Sequence, residues 1–276
     1  MPTVPVHSLN DGTTLPGIGL GTYPMDDAEA ERAVAEAVGS GYRLVDTAAN
    51  YGNESGTGRG IAHSGVARGE LVVTTKLPGR HHGHDETLAS FEESRKRLGL
   101  DYVDLYLIHW PLPRVEKYVE SWKAMIKLRE EGVVRSIGVS NFTAEHVDRL
   151  ERETGVLPSV NQIEMHPLFP QEELRTYLAG KGVAVESWSP LGRGSDLLSD
   201  PAIAKVAEAH GRTPGQVVLR WHTQLGVVPI PKSSDPARRR ENLDVFDFAL
   251  DPQEMAGIAS RTHRRLGGDP RHHEEF

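Results

Sequence analysis

Four side chains of this 276-residue chain carry a proton-transfer chemistry when set side by side: Asp46, Tyr51, Lys76 and His109. A lysine cation beside a phenol stabilises the phenolate and lowers the tyrosine pKa from its reference of about 10. An aspartate on a neighbouring strand end pairs with that lysine in a partly dry cleft. A tyrosine tuned in this way donates a proton to a carbonyl oxygen as negative charge develops there, and a histidine within hydrogen-bonding range orients the carbonyl. Each residue also has an ordinary reading. A strand-end Asp or Lys is a cap or a solvated end, Tyr51 in AANYGNE is a loop aromatic, and His109 between Ile108 and Trp110 is a satisfied core histidine. The chemical reading gains from company, because the other polar residues closing apolar runs are Ser140, Asn141, Gln162, Glu164, Trp188, Ser189 and Lys232.

Those runs are the elements that must position the set. They are GIGLGT (17–22), YRLVDT (42–47), LVVTTK (71–76), VDLYLIH (103–109), VRSIGVS (134–140), VNQIEM (160–165), VAVESW (183–188) and VVPIPK (227–232). Each is short, rich in Val, Ile and Leu, and reads as a buried parallel strand. Between them lie helical patterns over 27–38, 115–131 and 213–225, the last opening with Thr213, Pro214 and the capping-box partner Gln216. Successive strand ends fall 23 to 33 residues apart until a longer final step of 44 that holds two helical patterns, the arithmetic of a (β/α)8 TIM barrel. The competing open sheet would want Gly-x-Gly-x-x-Gly after its first strand. Gly17, Gly19 and Gly21 have the wrong spacing, as do Gly56, Gly58 and Gly60. Asn10-Asp11-Gly12 between VPVHSL and TTLPGIGL predicts an N-terminal β-hairpin. No linker-like stretch breaks the alternation, so one domain over residues 1–276 is expected. In a barrel the site lies at the C-terminal strand ends, where the polar residues gather.

Composition narrows the rest. Lys and Arg number 31 against 39 Asp and Glu, a formal charge of −8 that disfavours general nucleic-acid or anionic-membrane binding. The absence of cysteine excludes disulfides, thiolate metal sites and a cysteine nucleophile. The start MPTVPVHSLNDG has no signal-peptide pattern, and no apolar run nears the ~18–20 residues that span a bilayer. A cytoplasmic, monomeric protein acting on a small molecule is expected, with no nucleic-acid or membrane partner. The loop GRHHGHDE has histidines at 81, 82 and 84 without a fixed metal-ligand spacing, so no metal is expected.

The stretches GYRLVDTAANYGNE (41–54), TTKL (74–77), DLYLIHWP (104–111), RSIGVSNF (135–142), NQIEMHP (161–167), ESWSPLGRG (186–194) and PIPKSS (229–234) resemble the aldo-keto reductase family. ENLDVFDF (241–248) and the Trp of ESWSPLG resemble its bacterial 2,5-diketo-D-gluconate reductase branch. The resemblance implies NADPH-dependent reduction of small aldehydes, ketones or keto-sugar-acid substrates. Tyr51 would then be the general acid, tuned by Lys76 and Asp46, with His109 orienting the carbonyl and the hydride coming from the nicotinamide. It also implies that Ser140, Asn141 and Gln162 hydrogen-bond the carboxamide, that Trp188 stacks on the ring, and that Leu191 and Gly192 lie against the pyrophosphate. Lys232, Ser233 and Arg238 would hold the adenosine 2′-phosphate, where two cations around a dianion favour NADPH over NADH. Glu241 and Asn242 match adenine contacts.

Tyr23, Asn50, His109 and Trp110 are the expected substrate contacts. Pro78 and Gly79 stand where the family often has Trp, and Asn50 replaces an apolar residue, so the pocket mouth should be less aromatic and more polar. Arg239 and Arg240 read as a solvated basic turn. Two other functions fit the same residues: a reductase of larger ketones, and a non-catalytic NADPH-binding barrel that regulates a partner.

Overall fold

The computed structural model describes residues 4–259 and 264–275; Met1–Thr3 of the stretch MPTVPVHSLNDG lie outside them. A two-stranded antiparallel hairpin comes first, β1 (Val6–Ser8) with β2 (Thr14–Pro16), in the register Val6 to Pro16 and Ser8 to Thr14. Its turn is a five-residue loop rather than a tight Asp-Gly pair, and Gly12 takes the left-handed conformation that closes it. Asp11 organises the loop. One carboxylate oxygen accepts from the Thr13 N–H and hydroxyl, and the other accepts from Ser136 and Ser159 at 2.7 Å each. The hairpin is thereby bolted across one end of the barrel.

Eight parallel strands follow: β3 (Leu20–Gly21), β4 (Leu44–Asp46), β5 (Val72–Leu77), β6 (Val103–Ile108), β7 (Val134–Ser140), β8 (Val160–Glu164), β9 (Ala184–Trp188) and β10 (Val228–Ile230). Gly19 N–H donates to Pro229 O and Gly21 N–H to Pro231 O, both at 3.0 Å, joining the first strand to the last. That seam settles the choice between barrel and open sheet. The helices α1 (Asp27–Gly39), α2 (Glu54–His63), α3 (His84–Leu98), α4 (Tyr118–Glu130), α5 (Ala144–Thr154) and α6 (Glu172–Gly180) each link successive strands. Both α7 (Pro201–His210) and α8 (Pro214–Gln224) fill the long step before β10, and α9 (Pro236–Leu243) and α10 (Pro252–Ile258) come after it.

The helix starts follow local chemistry. α8 has the expected capping box, with Gln216 N–H on Thr213 Oγ1 and Thr213 N–H on Gln216 Oε1. α4 begins at Tyr118, three residues later than the apolar stripe from Val115 suggested. Glu116 sits at φ 62°, a left-handed turn that a helix cannot pass through.

Strand alternation sorts the side chains. Leu44, Leu105, Leu107, Val160, Val228 and Ile230 meet inside the barrel with Leu9 and Leu15 of the hairpin region. Val45, Val73, Tyr106, Ile108, Ile163 and Val185 face the helices instead. Because side chains alternate with period two, Asp46, Gln162 and Glu186 share the inward face of Leu44, Val160 and Ala184. The lower half of the interior is apolar and plugged, which leaves polar chemistry to the C-terminal end.

Candidate active site

At that end Lys76 is fully buried on β5, beside Asp46 at the tip of β4. Its Nζ donates to Asp46 Oδ1 at 2.6 Å, to the Thr47 carbonyl at 3.0 Å and to the Tyr51 hydroxyl oxygen at 3.3 Å. An ammonium has three N–H bonds, so all three are committed. Burial alone would pull the Lys76 pKa down, but Asp46 and Tyr51 hold it above its ordinary value, and the cation is secure.

The tyrosine differs from the expectation drawn from its neighbours' charges. Burial pushes the Tyr51 pKa up to about 12; Lys76 opposes that shift without overcoming it, and Asp46 adds to it. Tyr51 is packed in protein while keeping part of its surface open to the cavity. It is therefore the protonated phenol through the neutral range. Since its oxygen accepts from Lys76, its own O–H is left to point elsewhere.

His109 follows β6, its N–H bonded to Leu77 O, with its ring edge-on to Tyr51 at 5.7 Å between centroids. Burial, with Lys76 and His273 nearby, holds its pKa well below the usual histidine value, so the imidazole is neutral. Tyr23 lies 5.0 Å from the Tyr51 ring, and Trp110 is 6.5 Å from Trp188. Together with Asn50 these expected substrate residues line a cavity of about 930 Å³. The mouth is not as depleted of rings as Pro78 and Gly79 suggested. The tail returns one, with the His273 ring tilted against Trp110 at 4.2 Å between centroids.

The cavity continues past Ser140, Asn141, Gln162, Trp188, Leu191 and Arg193 to Lys232. Asn141, at φ 63°, cross-links three strand ends. Its Nδ2 donates to His109 O and Ser140 Oγ, and its Oδ1 accepts the Trp188 indole N–H at 2.8 Å. The indole plane is thereby fixed on the cavity wall. Gln162 Nε2 donates to Asp46 Oδ2 at 2.9 Å and to Glu186 Oε2 at 2.7 Å. Both of its amide hydrogens are used, and among the described residues nothing donates to its Oε1.

Glu186 did not emerge from the sequence reading. Its signal was present, since VAVESW places it two residues before Trp188 and hence on the same face. It is fully buried, its Oε1 has no hydrogen-bond partner, and burial followed by the neighbouring Asp46 pushes its pKa up to about 8.

The remaining proposed cofactor residues lie outside the cavity proper. Gly192 turns the loop after β9, with φ 74°. Ser233 is on the loop after β10; Arg238, Glu241 and Asn242 are on α9. Arg238 is exposed and, among the described residues, has no ion pair or hydrogen bond. Lys232 reaches Ser234 Oγ at 2.6 Å. Glu241 accepts from Thr213 Oγ1 at 2.5 Å, and Asn242 is buried at the end of α9. Arg239 is not the solvated residue expected: it is buried, donates to the carbonyls of Ser233 and Ser234, and pairs with Glu36. Arg240 is exposed. Among the described residues, no group of three His, Cys, Asp or Glu is placed to hold a metal ion.

A closed parallel barrel with an aspartate–lysine–tyrosine–histidine set at its C-terminal mouth defines a class, and comparison with known proteins agrees with it. The aldo/keto reductase family model matches residues 17–261. An aldo-keto reductase of Mycolicibacterium smegmatis is 55% identical over 268 residues, 97% of each chain. The 2,5-diketo-D-gluconic acid reductase B of a Corynebacterium species is 52% identical over 277 residues, all of both chains. Among solved structures, an aldo/keto reductase from Brucella melitensis has TM-score 0.90 and 49% identity, covering 93% of this chain and 99% of its own. A Gox0644 variant in complex with NADPH has TM-score 0.94 and 47% identity, covering 99% of this chain and 100% of its own. The chain belongs to the aldo/keto reductase family, and the activity that goes with that membership is NADPH-dependent reduction of a carbonyl group. No helix among the described residues is long and apolar enough to cross a membrane.

Proposed function

We propose that this protein reduces small aldehydes and ketones to alcohols with Tyr51 as the proton donor, acting as a cytoplasmic, monomeric barrel whose one domain is the whole chain. The observation that carries this reading is the threefold commitment of the Lys76 ammonium. It makes Tyr51 an acceptor toward Lys76 and so turns the phenol proton toward the cavity.

The residues present fit NADPH. An indole is locked on the wall by Asn141, Gln162 has an uncommitted carbonyl oxygen, and Lys232 lines the far end, 2.6 Å from Ser234 Oγ and 3.8 Å from Glu29. Beyond the cavity, on α9, Arg238 has no ion pair or hydrogen bond among the described residues and so has capacity for an anion. Trp188, Ser140, Asn141 and Gln162 would hold the nicotinamide end, and Leu191 and Gly192 the pyrophosphate. Lys232, Ser233 and Arg238 would hold a 2′-phosphate, and Glu241 and Asn242 the adenine. The loop bearing Ser233 is itself fastened by the two Arg239 bonds to its carbonyls. When bound, NADPH supplies the hydride.

The protein's own work is proton delivery and orientation. The neutral His109 imidazole can donate one N–H to a substrate carbonyl oxygen and so aim it at Tyr51. As charge grows on that oxygen, Tyr51 donates its proton, and the Lys76 ammonium at 3.3 Å stabilises the phenolate left behind. Asp46 keeps the lysine charged and fixed. Keto-sugar acids are included among the substrates, on the strength of the 52% identical Corynebacterium relative.

Tyr51→Phe tests this assignment. It should lower kcat at least about a hundredfold while NADPH still quenches tryptophan fluorescence. Turnover near the wild-type rate would place the acid elsewhere. A wild-type protein that binds NADPH but reduces no member of a broad carbonyl panel would favour the regulatory barrel.

A further inference from the structure

The tail from Arg264 to Glu275 crosses the mouth of the cavity, seated at both of its ends. The Glu164 carboxylate accepts the backbone N–H of Leu266 at 2.5 Å and of Gly267 at 2.9 Å. Gly267 lies so close to the Trp188 indole that a Cβ there would fall 2.4 Å from Cη2. At the far end the Glu275 carbonyl oxygen occupies the space beside Gly79, where a Cβ would meet it at 1.9 Å. The missing side chain at position 79 is what admits the tail.

The Glu275 side chain enters the catalytic pocket. Its Oε1 accepts from Asn50 Nδ2 at 2.8 Å and stands 3.2 Å from His109 Nδ1. The amide oxygen of Asn50 accepts in turn from Arg80, which also lines the cavity. The Asn50 amide, steadied by Arg80, would make a receptor for a substrate carboxylate next to the reacting carbonyl, with the neutral His109 ring beside it and its Nδ1 in no hydrogen bond. That receptor is already filled by a carboxylate of the protein's own chain. The neighbouring Glu274 faces outward toward Arg114, 3.8 Å away, and does not line the cavity.

We propose that Glu275 is a specificity-determining residue, which rejects carbonyl substrates bearing a carboxylate beside the carbonyl carbon and favours those bearing a hydroxyl or another neutral donor there. A like charge brought within a few ångströms of Glu275 is repelled. A hydroxyl at the same place finds an acceptor oxygen. The proposal rests on carbonyl reduction at Tyr51 and concerns only the group adjacent to the reacting carbon.

Glycolaldehyde and glyoxylate are a matched pair for the test, an aldehyde carrying a hydroxymethyl group or a carboxylate. Their kcat/KM values with NADPH are to be measured for the wild type, Glu275→Gln and Glu274→Gln, with 4-nitrobenzaldehyde as a neutral reference and thermal melts to confirm folding. The wild type should prefer glycolaldehyde, and Glu275→Gln should move the glyoxylate-to-glycolaldehyde ratio about tenfold or more toward glyoxylate. Glu274→Gln removes the same charge from the tail outside the pocket and should leave the ratio within about twofold. An unchanged ratio in Glu275→Gln, or an equal shift in Glu274→Gln, overturns the proposal while leaving carbonyl reduction standing. Failure of the wild type to reduce any of the three aldehydes overturns the activity beneath it, and the proposal falls with it.

Discussion

Replacing Glu186 by glutamine should change how the stability of this protein depends on pH. The carboxyl is fully buried between Gln162 and Asp46, and its pKa is pushed up to about 8 from an ordinary 4.5, first by burial and then by Asp46. The folded state therefore holds a proton that the unfolded chain releases. Stability from this group is present in full below about pH 4.5 and is lost as pH rises toward about 8, at about 1.4 kcal/mol per pH unit. Over pH 5 to 8 the wild type should lose on the order of 4 kcal/mol through this one group, an upper bound because a buried carboxylate draws some relaxation around it.

Glutamine keeps the shape and the acceptor for Gln162 Nε2. Its own amide nitrogen takes the place of the Oε1 that has no partner in the wild type. The unpaired group is thus retained, and the titration alone is removed. Urea unfolding at pH 5, 6, 7 and 8 should show the variant gaining on the wild type steadily, so that it is the more stable protein at pH 8. Parallel stability profiles for the two proteins would refute the reasoning and mean that Glu186 is already ionised at pH 5 or reached by water.

Two further substitutions probe the cofactor side. Arg238→Ala should weaken NADPH binding by about 2 kcal/mol, roughly 30-fold, through loss of a charge-assisted phosphate contact. NADH binding should change by no more than about threefold, and fluorescence titration with both nucleotides checks the difference. Asn141→Ala leaves the Trp188 indole N–H without its acceptor and puts a Cβ-bearing residue with no local hydrogen bond at φ 63°. A loss of about 2–4 kcal/mol in urea unfolding is expected, together with weaker quenching by NADPH as the indole loses its fixed plane.

Much of this protein is legible in its sequence, for reasons tied to particular residues. Short apolar runs at regular intervals announce eight parallel strands, because a strand buried on both faces must be apolar throughout. Thr213, Pro214 and Gln216 write a helix start that depends only on neighbours three residues apart, and the structure has it. Asp46, Lys76 and Gln162 were placed at one rim by strand direction alone, since in a barrel all strands point the same way.

The tertiary structure decided what depends on distance and burial. The sequence could pair Lys76 with Tyr51, but only the depth of the site shows that burial outweighs the lysine and leaves the phenol with a raised pKa. Arg239 is indistinguishable from Arg238 and Arg240 along the chain. It is buried because its helical position turns it back toward Ser233 and Glu36. Glu186 became visible when a single amide of Gln162 was found to bridge it to Asp46. The tail stands furthest from what the sequence alone determines. Its contacts join residues more than a hundred positions apart, such as Glu164 with Leu266 and Asn50 with Glu275, and no local pattern encodes such a meeting. The order and type of the elements, and the chemistry of the strand ends, come from nearest neighbours and periodicity. Which groups are dry, which are paired, and which carboxylate fills the pocket come from the closing of the barrel.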